Sequence, residues 1–396
     1  MSSLVFDKDL NSFARKYLVK GNKQTIKTRN MISRHNQIIR KVSETLLRHE
    51  GVAFKVYGEN IPLAILTNIF GVSGVEKLLE QGAIKFILWT PVITYNSSNI
   101  DGILPLQSGN VTSETHYDPE KSAELGLKWM KKLPPKKDRR RLVRKTIKAY
   151  EVPPPEAANE AVKFGHEGYK SNIFENMGLS RRKDITDLNK KERAKLCSLA
   201  TQCLELAILS EFKYHTLDSI DLMNLTCVEF NRLQKAKMIE KMEDKLFRIE
   251  KLPDFSELIK EEIIDIKEIP ELRATKDAIK FRSWISNLAD ESDVEDVTKE
   301  YLDSITKSTG FFETNKGKFI KTVGVTSVSA GIGSLIGGGV GGIIGGIVGK
   351  STLEPLVDFG LNLLDTYILS GITQGWHPRH YFDKQIRKVV NEENKK

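Results

Sequence analysis

His116, Asp118 and Glu120, in "THYDPE", put an imidazole and two carboxylates within one short stretch, the residue types that proton transfer requires. No nucleophile elbow, no HExxH helix and no dinucleotide-binding glycine fingerprint accompanies them. His377 and His380, in "GWHPRHYF", lack further ligands at metal-binding spacing, so neither a metal nor a cofactor is expected. Cys197, Cys203 and Cys227 show no ligand spacing and cannot all pair. Cys203 lies on the stripe Leu196, Leu199, Ala200, Cys203, Leu204, Ala207, Ile208, which reads as one buried helix face. No catalytic residue is assigned.

The stretch "GGIVGKST" ends like a phosphate-binding loop. Such a loop needs four residues between its two glycines, so that backbone N–H groups wrap the phosphates. Counting back from Gly349, that position is Ile344, and Gly345 stands one residue too close. The wider stretch has a different regularity. Gly333, Gly337, Gly341, Gly345 and Gly349 recur every four residues, and Ser334, Gly338, Gly342 and Gly346 form a second row beside them. On a helix the two rows make a face without side chains, where another backbone packs closely.

Between Lys321 and Lys350 no residue is charged. A helix over that run is roughly 40 Å long, more than the ~30 Å hydrocarbon core of a bilayer. About nine aliphatic residues at roughly −0.3 to −0.6 kcal/mol each favour insertion by only a few kcal/mol. In water each glycine costs about 1 kcal/mol of helix propensity. The segment is therefore marginal in either medium, and it reads as a membrane-active helix or hairpin or as a closely packed core. Downstream, Trp376, Tyr381 and Phe382 stand beside Arg379, Arg387 and Lys388, a combination suited to a membrane interface or to an ordinary amphipathic helix. Asp358 and Asp365 make the intervening apolar segment a partner helix rather than a second span.

A second charged feature is the run Lys131, Lys132, Lys136, Lys137, Arg139, Arg140, Arg141, Arg144 and Lys145. It reads as a solvated or internally paired face, as a surface for anionic lipid, or as a nucleic-acid backbone contact. The net charge of +9 and pI near 9.1 favour anionic partners in general.

These features have to be positioned by a mainly α-helical chain with a small α+β N-terminal domain and a C-terminal glycine-zipper helix or hairpin. Residues 1–150 form the basic domain, with helices to about Arg48 and a small sheet over about 83–108. "IPLAILTNIF" and "VSGVEKLLEQG" read as two short helices parted by Gly71. "AIKFILWTPVITY" and "GILPLQSG" read as strands, with Pro91 marking an edge or a break. The Pro-rich "EVPPPEAANE", residues 151–160, is a linker. Residues 161–310 read as helices, one capped by Asp184 or Thr186 and reaching Phe212, another from near Thr216 to Lys251, and others over Phe255–Glu268, Glu271–Leu288 and Val294–Ser308. Residues 311–396 carry the glycine segment and a terminal amphipathic helix.

"ELRATKDAIKFRSWI", the glycine-rich stretch and "LDTYILSGITQGWHP" together resemble C-terminal patterns of uncharacterised bacterial proteins that share a Gly-Trp-x-Pro signature. The resemblance covers the last third, implies a bacterial source and carries over no activity or site residue.

With acidic residues at positions 7 and 9, "MSSLVFDKDL" does not read as a signal peptide, and a cytoplasmic location with inner-membrane association is expected. The expected function is a toxin-like intracellular effector, of the abortive-infection kind used against phage, that acts on the membrane through the glycine rows. The helical domain holds it inactive, with self-association and a triggering or inhibiting protein partner implied. The alternative is a soluble nucleic-acid-binding or regulatory protein whose glycine segment is core.

Overall fold

The computed structural model describes residues 4–17, 28–96, 105–111, 113–170, 174, 178–179, 184–212, 215–218, 245–290 and 320–327. They are mostly helical, with an N-terminal α/β region. The first half alternates strand and helix: β1 (Leu4–Asp7), α1 (Asp9–Tyr17), α2 (Thr28–Arg48), β2 (Gly51–Val56), α3 (Ile61–Glu80) and β3 (Ile84–Leu88). The hairpin β4 (Pro91–Tyr95) and β5 (Leu106–Asn110) follows, then α4 (Pro119–Leu127), α5 (Lys136–Ile147), β6 (Tyr150–Glu151), α6 (Pro155–Lys170) and α7 (Lys190–Glu211). Beyond these come β7 (His215–Asp218), β8 (Lys245–Pro253), α8 (Phe255–Lys260), α9 (Ile269–Arg273), α10 (Lys276–Asp290) and β9 (Ile320–Ser327).

The main sheet has the order β6-β3-β2-β1-β7-β9-β8. β6, β3, β2, β1 and β7 run parallel, whereas β9 is antiparallel to both β7 and β8. The sheet therefore reaches well beyond the span 83–108 expected from sequence. Its two faces are both covered. Val52, Phe54 and Val56 of β2 and Ile84, Phe86 and Leu88 of β3 pack with Leu10, Leu46, Leu66 and Leu142 from the helices α1, α2, α3 and α5. Ala53, Ile87 and Trp89 join Ala161, Leu196, Ala200 and Leu204 from α6 and α7 on the other face. Burial on both faces explains why "GVAFKV" shows no strand alternation: every residue but Lys55 is fully buried.

Several expectations hold. β3 ends before Pro91, and β4 pairs with β5 in antiparallel register from Pro91↔Asn110 to Tyr95↔Leu106. α3 is broken at Gly71, whose φ of 70° and ψ of 171° are open to glycine alone. Asp184 caps only the short turn Ile185–Asp187, and the long helix starts after Asn189, whose Oδ1 accepts from the N–H groups of Lys191 and Glu192. The stripe Leu196, Leu199, Ala200, Leu204, Ile208 is buried, as its spacing implies. Val294–Ser308 lies outside the described residues.

The helix expected from Thr216 to Lys251 is corrected at both ends, where β7 and β8 are strands. Their partner is β9, roughly seventy to eighty residues beyond β8 and more than one hundred beyond β7, and a local window contains no trace of that pairing. The helical reading also missed β1 and β9, and β9 takes the first residues of the uncharged run from Lys321 that reads as one helix in the sequence. Pro155 opens α6 directly within the supposed linker, at a position where proline's missing N–H is not needed. The C-terminal α8–α10 group is fastened to the α/β core by Arg273. This guanidinium, 1% exposed, donates to the carbonyls of His49 at 3.0 Å and Glu50 at 2.7 Å.

Candidate functional site

The basic run occupies an elbow between α4 and α5. Asp118 starts α4: its Oδ1 accepts from the N–H groups of Glu120 at 2.8 Å and Lys121 at 3.2 Å. Asp118 is thus a helix cap, and the loop does not turn its carboxylate and that of Glu120 onto His116. α4 lies tight on the turn after β2, because the space a Cβ would need at Gly126 is filled by the Asn60 backbone. In the segment that follows, Trp129 and Leu133 are 41% and 44% exposed, while Met130 between them is buried in the core. Pro134 and Pro135 follow, and α5 returns to bury Leu142, Val143 and Thr146.

α5 sorts the basic residues into two groups. Arg141 Nε donates to Glu76 Oε1 at 2.5 Å, and its Nη1 lies 3.2 Å from Asp138. Lys145 Nζ lies 2.6 Å from Glu80 and 3.7 Å from Glu76. These bonds raise the pKa of Arg141 and Lys145 and lower that of Glu80, in each case chiefly through the side-chain hydrogen bond. Both side chains are tied to carboxylates of α3. Lys131, Lys132, Lys136, Lys137, Arg140 and Arg144 are exposed and Arg139 is half-buried, and none of the seven makes an ion pair among the described residues. Lys136, Arg140 and Arg144 recur every four residues and so share one outward face.

A second cluster sits at the carboxyl ends of the parallel strands, the edge of such sheets where ligands usually bind. Arg15 of α1 lies over the Tyr57 ring, 5.5 Å from its centroid, and pairs with Glu59 at 2.9 Å. His116 meets the same ring edge-on at 4.8 Å. Its imidazole rests against Gly58, and Nε2 is covered without a hydrogen-bond partner, as is Arg15 Nε. Burial, seconded by Arg15, lowers the His116 pKa. Beside this cluster, Asn60 Oδ1 accepts from Leu63 N–H, while its Nδ2 donates to Tyr150 Oη at 2.8 Å. Tyr150 then donates to Ser122, and Ser122 to the Gly58 carbonyl. Burial pushes the Tyr150 pKa up, so the phenol remains a donor.

On the opposite face Lys55 Nζ lies 3.8 Å over the Trp89 ring and 2.8 Å from Glu205, which also holds Lys8 at 3.1 Å. Burial lowers the Lys55 pKa against the pull of Glu205. Burial also acts to raise the Glu205 carboxyl, but the two lysines outweigh it and the net shift is downward. The arrangement ties α7 to the sheet. Cys197 Sγ donates to the Ile93 carbonyl at 3.2 Å, and burial raises its pKa, so it is a structural thiol.

Of the residues singled out from sequence, the fold brings together the basic elbow and separates His116 from Asp118 and Glu120. Sequence reasoning missed Arg15, Tyr57 and Glu59, which meet only because β1 pairs in parallel with β2. The glycine rows Gly333–Gly349, His377, His380, Trp376, Tyr381 and Phe382 lie outside the described residues. Among the described residues α3 is long and apolar enough to cross a bilayer, but most of its apolar window is buried in the core. Also among the described residues, no three His, Cys, Asp or Glu side chains gather where they could hold a metal. Compared with known proteins, the chain matches no family, no curated relative and no solved structure.

Proposed function

We propose that this protein is a bacterial intracellular effector that acts on the inner membrane through the helix carrying Gly333, Gly337, Gly341, Gly345 and Gly349. The observation that carries the reading is the unbroken four-residue glycine spacing inside the uncharged run 328–349, which begins where β9 ends and as a helix is roughly 33 Å long, still enough for the ~30 Å hydrocarbon core. Such a face favours close helix association, and its marginal hydrophobicity suits a segment that inserts when several copies meet. The fold supports this arrangement through β9, which is held between β7 and β8 and ends six residues before Gly333. A helical and sheet-bearing body thus grips the chain immediately upstream of the glycine rows, as restraint of an insertable segment requires.

The experiment is inducible expression in a bacterial host, read by growth and by a membrane-potential dye. The wild-type chain is expected to depolarise cells and arrest growth. Replacing Gly341 and Gly345 by Leu fills the smooth face and is expected to abolish both effects. Undiminished depolarisation by that variant would sink the reading.

A further inference from the structure

We infer that the α4–α5 elbow is a docking surface for an anionic lipid bilayer, with Trp129 and Leu133 entering the headgroup region and the outward basic residues binding lipid phosphates. The inference deepens the membrane reading, yet it rests on different residues from the glycine rows and stands or falls separately.

Three observations carry it. First, the positive charge is available: Lys131, Lys132, Arg140 and Arg144 are exposed and make no ion pair among the described residues, while Arg141 and Lys145 are consumed by Glu76 and Glu80. Secondly, the segment that carries Lys131 and Lys132 also exposes two large apolar side chains, Trp129 and Leu133. Thirdly, the backbone around them is restrained. Leu133 precedes Pro134, which biases its backbone to extended conformations, and α4 behind it is seated on the Asn60 backbone through Gly126.

Charge without apolar anchors would suit any polyanion. An indole and a leucine set among lysines favour a bilayer, because the headgroup region takes an amphipathic ring and an aliphatic tip beside basic residues that reach lipid phosphate. A nucleic acid would leave Leu133 facing solvent or phosphate, with no apolar partner.

The test is flotation of the full-length chain with vesicles of phosphatidylcholine alone or mixed with phosphatidylglycerol. Binding is expected only to the mixed vesicles, weakening as salt rises. Changing Lys131, Lys132, Arg140 and Arg144 to Gln is expected to reduce partitioning roughly fivefold per residue. Trp129→Ala with Leu133→Ala, which leaves all charges in place, is expected to reduce it as well, and Lys145→Gln is expected to leave it unchanged. The Gly341→Leu/Gly345→Leu chain should still bind vesicles while losing toxicity, which separates docking from insertion. The inference is overturned if the four-Gln chain floats like the wild type. It is equally overturned if removing Trp129 and Leu133 has no effect while the chain binds duplex DNA or RNA in preference to vesicles, or if the glycine substitutions alone abolish vesicle binding.

Discussion

Asp7 ends β1, the middle strand of the main sheet, and its carboxyl pKa is raised to about 6, chiefly by burial, with the neighbouring Asp9 adding to the effect. Its Oδ1 accepts the Leu10 N–H at 3.0 Å, so it starts α1 as a cap while standing where a charge is poorly solvated. A carboxyl raised from its ordinary 3.8 binds its proton more tightly in the folded state. The stability this contributes is complete below about pH 4 and is lost as pH rises to about 6, beyond which the loss is constant. Asp7→Asn keeps the acceptor and removes the charge. Above pH 6 the variant is expected to be more stable than the wild type by on the order of 2 kcal/mol, the gap closing towards pH 4. Urea unfolding of both proteins between pH 4 and pH 8 measures this, and a gap independent of pH would contradict it. Nothing in "LVFDKDL" marks Asp7 as buried, since an acidic pair after a short apolar run ordinarily opens a solvated turn. Burial comes from flanking strands β2 and β7, which the chain supplies forty and two hundred residues later.

At the scale of elements, legibility followed how local the determining contact is. The break in α3 was readable because glycine alone tolerates the required backbone. The β4–β5 hairpin was readable because its partners are neighbours with β-branched residues and a proline at the edge. β2, β7 and β8 were not, since β2 is buried on both faces and the other two are defined by a strand far away in sequence. The basic elbow was half readable: its residues were evident, but its division into paired and free charges depends on Glu76 and Glu80 of α3. Gly71 offers a clean test of the local rule. Beyond its own helix backbone and chain neighbours, no atom stands within 4 Å of where a Cβ would be, so a side chain meets open space and the cost is conformational. Gly71→Ala is expected to destabilise the fold by roughly 1–3 kcal/mol, measured by chemical denaturation. A neutral result would mean that α3 straightens through this point without loss.

At the scale of the molecule, the sheet joins distant parts of the chain. β1, near residue 4, and β9, ending at residue 327, both flank β7, so the body is closed by a strand that directly precedes the glycine rows. The body therefore depends on β9, the strand that ends six residues before the first glycine of the rows, and this predicts different outcomes for two truncations. A chain ended after Ala330 retains β9 and is expected to unfold in one cooperative transition at the midpoint of the full-length protein, while failing to depolarise cells. A chain ended after Gly317 lacks β9, which leaves β7 and β8 without the strand that pairs them and exposes their edges. It is expected to lose cooperativity and to aggregate. Thermal melts and a depolarisation assay on both chains distinguish the cases. Membrane damage by the chain ended after Ala330 would place the activity in the folded body and remove the glycine rows from the mechanism.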